Sequence, residues 1–142
     1  TNTFQEKSMN IYSNINPTQI LHIIQRKRDI IDGRADLVED TQFIQCAAMR
    51  MQAGTTFKPH RHIMYPRSEV YITQESWVVI SGCVKVILYD LDNSLLHEDI
   101  LEAGDISITL QGGHNYLIMQ DAVVYEFKTG PYLGQNHDKT FI

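Results

Sequence analysis

The 142-residue chain has only two cysteines, Cys46 and Cys83, too few for the disulfide framework that staples small secreted domains. Both sit in apolar, strand-like runs and read as buried free thiols. A reducing, cytoplasmic setting is therefore the expectation. Positive charge is also scarce, with 12 Lys and Arg against 17 Asp and Glu and a net charge of −5. Apart from Arg26-Lys27-Arg28 the basic residues are scattered, so nothing draws in a phosphate backbone and no nucleic-acid partner is expected. No apolar run approaches the roughly 20 residues that span a bilayer. The N-terminus has no charged head followed by an apolar stretch, so neither a membrane segment nor a signal peptide is expected. A Walker loop, a Gly-x-Gly-x-x-Gly turn, a Cys-x-x-Cys pair and a nucleophile elbow are all missing. Nucleotide-cradling, dithiol and Ser-His-Asp chemistries lose their support with them.

What is present suits one globular domain. The hydrophobic fraction is 43% and the charged fraction 20%, enough apolar residue to bury a core without covalent staples. Near the N-terminus the pattern predicts a helix. Asn16 is a good cap, Pro17 suits a first turn, and Ile20, Ile23, Ile24 and Lys27 follow helical spacing. Arg26, Lys27 and Arg28 stand where a helix C-terminus favours positive charge, and Gly33 ends the segment. Residues 1–40 thus read as a lead with one helix packed on the body of the domain.

From Thr41 the pattern changes to short β-rich runs over 43–52, 76–81, 84–90, 95–101, 106–110, 116–119 and 123–128. Turns are expected at Ala53-Gly54, Ser81-Gly82, Asp90 through Asn93, Ala103-Gly104-Asp105, Gln111-Gly112-Gly113 and Gln120-Asp121. Several short strands at this spacing predict an all-β sandwich or barrel over 41–142.

The chemistry concentrates in few residues. In an extended strand side chains alternate, so His60 and His62 share one face while Arg61 takes the other. Two imidazoles on one face can bond a single ion. Glu75 opens the next strand, seven positions before Gly82, and His114 follows Gln111-Gly112-Gly113. Three imidazoles and a carboxylate from three strands can converge inside a small barrel, a set that suits one divalent transition metal such as Zn, Fe, Mn or Ni. His97 reads as a surface strand residue, and His22 and His137 as structural or exposed.

Gly54-x5-His60-x-His62, Glu75-x6-Gly82 and the later Gly-Gly-His114 resemble the two-part motif of the cupin superfamily. Within it the chain is most similar to the WbuC-type cupin-fold metalloproteins associated with surface-polysaccharide genes. The matching stretches are Lys58-Pro59-His60-Arg61-His62, Glu75-Ser-Trp-Val-Val-Ile-Ser-Gly82, Tyr125-Glu-Phe-Lys-Thr-Gly-Pro-Tyr132 and Asp138-Lys139-Thr140-Phe141. The resemblance implies a jelly-roll β-barrel, a homodimer, and one divalent metal on His60, His62, Glu75 and His114. The sequence departs from the motif in three places. Residues 63–73 read as a loop insertion, which leaves Glu69 as a second candidate carboxylate. Leu110 replaces a Pro, with His114 one residue early. Ile118 stands where the motif ends in Asn.

A small-molecule ligand is the expected partner. Tyr65 and Arg67 of the insertion, with Trp77 and Tyr116 beside the ligands, are candidate substrate contacts. Three functions stay open: a metal-dependent enzyme, of isomerase or oxygenase type, acting on a small molecule such as a sugar or sugar nucleotide; a metal-free isomerase or epimerase using His60 or His62; and a non-catalytic ligand-binding barrel.

Overall fold

The structure, a computed structural model, describes residues 8–62, 64–65, 71–131 and 139–142. At its start β1 (Ser8–Tyr12) pairs with β2 (Ile20–Gln25) as an antiparallel hairpin. This overturns the expected helix. Pro17 sits in a tight turn instead of a helical one, with the Gln19 N–H donating to the Asn16 carbonyl at 2.9 Å. The Ser13 hydroxyl accepts the N–H groups of Ile15 and Asn16, which holds the connection away from helical geometry. The isoleucines that suggested a helix are β-branched and stiff at χ1, so pairing with β1 suits them better. Only Lys27–Asp29 forms a single 3₁₀ turn.

The remaining strands are β3 (Gly33–Asp36), β4 (Ile44–Met51), β5 (His60–His62), β6 (Met64–Tyr65), β7 (Tyr71–Ile72) and β8 (Glu75–Tyr89). They continue as β9 (Leu95–Glu102), β10 (Ile106–Thr109), β11 (Gly113–Thr129) and β12 (Lys139–Phe141). All pairs are antiparallel. One layer runs β3, β4, the second half of β11, the first half of β8, and β10. The other runs β12, β5, the first half of β11, the second half of β8, and β9. The two long strands therefore serve both layers and close the sheet into a jelly-roll barrel. The expected insertion begins and ends as a short β6–β7 hairpin.

Two expected turns are bends within strands. At Gly82 (φ +91°) and between Ile118 and Val124 the pairing of β8 with β11 shifts register. These bulges turn both strands from one layer into the other without breaking them. A Cβ on Gly82 would strike the Asp121 carbonyl oxygen and lie 2.7 Å from the Ala122 Cα. Glycine is required there by conformation and by space alike.

The main core lies between the layers. Met49, Met51, Val79, Val84, Val86, Ile118, Ala122 and Val124 are buried against one another, with Trp77 and Tyr116 at the end nearest the histidines. Among the described residues no helix is long and apolar enough to cross a membrane.

Candidate metal centre

Register brings the four sequence-predicted ligands together. His60 is the cross-strand partner of His114, and paired residues project from the same face of a sheet. His62, two residues on, shares that face. Glu75 opens β8 in the opposite layer and points inward, as does its neighbour but one, Trp77. All four side chains are buried, and one donor atom from each lies within 4.8 Å of the others. His60 Nε2 and His114 Nε2 are 3.2 Å apart, His62 Nε2 is 3.1 Å from Glu75 Oε1, and His114 Nε2 is 3.5 Å from Glu75 Oε2. Glu69 lies outside the described residues.

The far side of two rings is already engaged. His60 Nδ1 is 3.0 Å from the Lys58 carbonyl, a group that can only accept, so Nδ1 carries the proton and Nε2 keeps its lone pair. The Thr109 hydroxyl lies 2.9 Å from His114 Nδ1, placed to do the same for that ring. Outer partners of this kind fix ring orientation in metal sites. Burial pushes the His60 imidazole down to about 4, so it is neutral near pH 7. Burial alone would raise the Glu75 carboxyl. The His62 hydrogen bond and the neighbouring His114 and Lys128 outweigh it and hold the group below its ordinary value, hence ionised. A neutral His60 imidazole and an ionised Glu75 carboxylate are forms that ligate. Ligands sharing one ion at about 2.1 Å sit within about 4.2 Å of each other, so small side-chain shifts gather this set. The residues fit a divalent transition metal.

No protein-family model and no curated protein matches the chain. Solved structures do. CapF, a capsular polysaccharide assembling protein from Staphylococcus aureus, aligns at TM-score 0.59 and 15% identity over 77% of this chain and 31% of its own. An uncharacterized conserved protein with a double-stranded β-helix domain from Klebsiella pneumoniae aligns at 0.53 and 19% identity, over 76% and 81% of the two chains. KdgF from Halomonas sp. aligns at 0.51 and 15% identity, over 68% and 76%. The chain thus spans under a third of CapF and most of the other two. The barrel fold is the one these structures share, described in the Klebsiella protein as a double-stranded β-helix. At these identities the likeness is one of fold alone.

Beside the histidines the barrel opens into a cavity of about 460 Å³, bordered by His60 and Glu75. Trp77 and Tyr116, two of the four expected substrate contacts, line it. They are also part of the core, stacked on each other at 3.7 Å with planes 3° apart. Arg67 lies outside the described residues, and of Tyr65 the structure describes the backbone strand. Both cysteines are free and half-buried. Cys46 borders the cavity, and burial pushes its thiol up to about 11, so it stays protonated.

Sequence reasoning missed several cavity residues. Glu126 is buried and accepts from Trp77 Nε1 at 3.0 Å and from Arg34 Nη2 at 2.7 Å, while Arg34 Nε donates to Asp36 at 2.9 Å. Glu126 and Trp77 are cross-strand partners, a relation that no local pattern shows. Thr109 escaped because the sequence shows 106–110 only as a β-rich run, without the face each residue takes. In the structure Ile106 and Ile108 are exposed and Ser107 and Thr109 buried.

Proposed function

We propose that the protein is a metal-dependent enzyme acting on a sugar or sugar nucleotide, with one divalent transition metal held by His60, His62, Glu75 and His114. One observation carries the reading: four buried donor atoms within 4.8 Å of one another beside a cavity large enough for a small molecule. Surface-polysaccharide synthesis is the setting favoured by the sequence resemblance and by what CapF is said to assemble. A bound ion supplies Lewis acidity toward a hydroxyl or carbonyl oxygen. The chain's own residues do the rest. Lys58 and Thr109 orient the rings of His60 and His114, and Trp77 with Phe57, 5.8 Å apart edge to face, provides an apolar wall for the carbon skeleton of a ligand. Burial pushes the Tyr116 phenol well above its ordinary value, so it stays protonated, with its hydroxyl 3.4 Å from His114 Nδ1.

A second reading rests on the His62–Glu75 contact at 3.1 Å, which is also the geometry of a metal-free acid–base dyad. The two separate in one experiment. Uptake of solvent deuterium into a panel of sugar nucleotides is followed with metal-loaded protein, then after chelation, then after metal is restored. The metal reading expects turnover that is lost and regained. Turnover that survives in demonstrably metal-free protein would replace it with the dyad. Metal binding without turnover of any member would leave a ligand-binding barrel.

A further inference from the structure

The chain has six lysines in all, and three of them, Lys58, Lys128 and Lys139, line the same cavity beside His60 and Glu75. They come from three separate segments, and each is tied by the backbone to one of the metal-binding candidates. Lys128 is the cross-strand partner of Glu75, and Lys139 of His62. Partners in a pair project from the same face, so both lysines point the way the candidate ligands do. Lys58 supplies the carbonyl facing His60 Nδ1, and its ammonium sits 4.7 Å from the centroid of the Phe141 ring. Phe141 is in turn the cross-strand partner of His60. Half the lysines of an acidic chain are thus fixed around one opening.

The charges give this arrangement a direction. Arg34 is held by Asp36 and Glu126, and Glu75 belongs to the histidine cluster. With Asp40 these are the lining carboxylates among the described residues, and there they match Arg34 and the three lysines one for one. A divalent ion would add two positive charges to this balance among the described residues. In a water-poor pocket such an excess is costly unless an anion enters.

We propose that the cavity takes an acidic small molecule, its carboxylate or phosphate group received by Lys58, Lys128 and Lys139 while its hydroxyls face the histidine cluster. This rests on the metal reading above and names the substrate class of that site. Ammonium groups receive either acid as point charges, so the probes cover both.

The test uses the full chain loaded with zinc, its metal content measured alongside. D-Glucuronate, D-glucose 6-phosphate and neutral D-glucose are titrated calorimetrically into the wild type and into Lys128→Gln and Lys139→Gln. At least one acid is expected to bind about tenfold or more tighter than glucose, and each variant to lose about tenfold for that acid with zinc unchanged. One equivalent of zinc with no preference for either acid, or with variants that bind the acid as the wild type does, would overturn this inference alone. Failure to hold zinc would overturn the metal reading and this inference with it.

Discussion

An imidazole has two nitrogens and a metal takes one, so whatever engages the other decides how the ring is presented. At His114 that role falls to Thr109, whose hydroxyl is 2.9 Å from Nδ1. Thr109 is buried on β10 and meets the candidate centre through His114. Thr109→Val keeps the shape and removes the acceptor. Zinc affinity, measured by competition with a chromophoric chelator, is expected to fall about 10- to 100-fold, with Thr109→Ser close to the wild type. Equal affinity in Thr109→Val would show that the hydroxyl does not orient His114. This residue was not legible in the sequence. Alternation in Ile106-Ser107-Ile108-Thr109 gives the period of the strand but not its sense, and the structure turns the isoleucines outward. The four candidate ligands were legible because their spacing survives folding. Two positions along one strand is a face, and a glycine-marked turn locates the start of the next.

At the scale of elements, the bends in β8 and β11 place the site. Glu75 lies at the start of β8, and His114 at the start of β11, pairing with residues of the second half of β8. They face one another across the barrel because both strands change layer near Gly82 and Gln120. The sequence marks these points correctly as irregular but cannot say that the chain continues beyond them. A glycine at positive φ serves a turn or a bulge equally well. Gly82→Ala adds a Cβ against the Asp121 carbonyl in a conformation L residues avoid. It is expected to cost about 3 kcal/mol and to lower the midpoint of thermal unfolding by several degrees. An unchanged midpoint would mean that the bend accommodates a side chain. The β1–β2 hairpin teaches a related lesson. Ile20, Ile23 and Ile24 satisfy helical spacing, yet β-branching and the Asn16–Gln19 turn favour a strand once β1 is there to pair with it. Pairing with a distant segment is information that local spacing does not hold.

For the whole molecule, the division between core and cavity explains the fold and the site together. The inward faces of the two layers carry valine, isoleucine and methionine toward the bends, and His60, His62, Glu75, Thr109 and His114 toward the other end. Alternating strands around 8–12 residues apart made the barrel legible, since few architectures bury that pattern. The Arg34–Glu126–Trp77 chain and the lysines around the opening were not legible, because they join segments far apart in sequence. The barrel buries four polar side chains with a donor atom of each within 4.8 Å of the others, and a shared cation satisfies all four at once. The most direct measurement is therefore the metal content of the purified, untagged protein beside that of His62→Ala, with circular dichroism to establish that both keep their β structure. The wild type is expected to hold about one equivalent of a divalent transition metal after reconstitution, and the variant much less. A wild type that takes up no metal, or a folded variant that retains a full equivalent, would contradict the assignment.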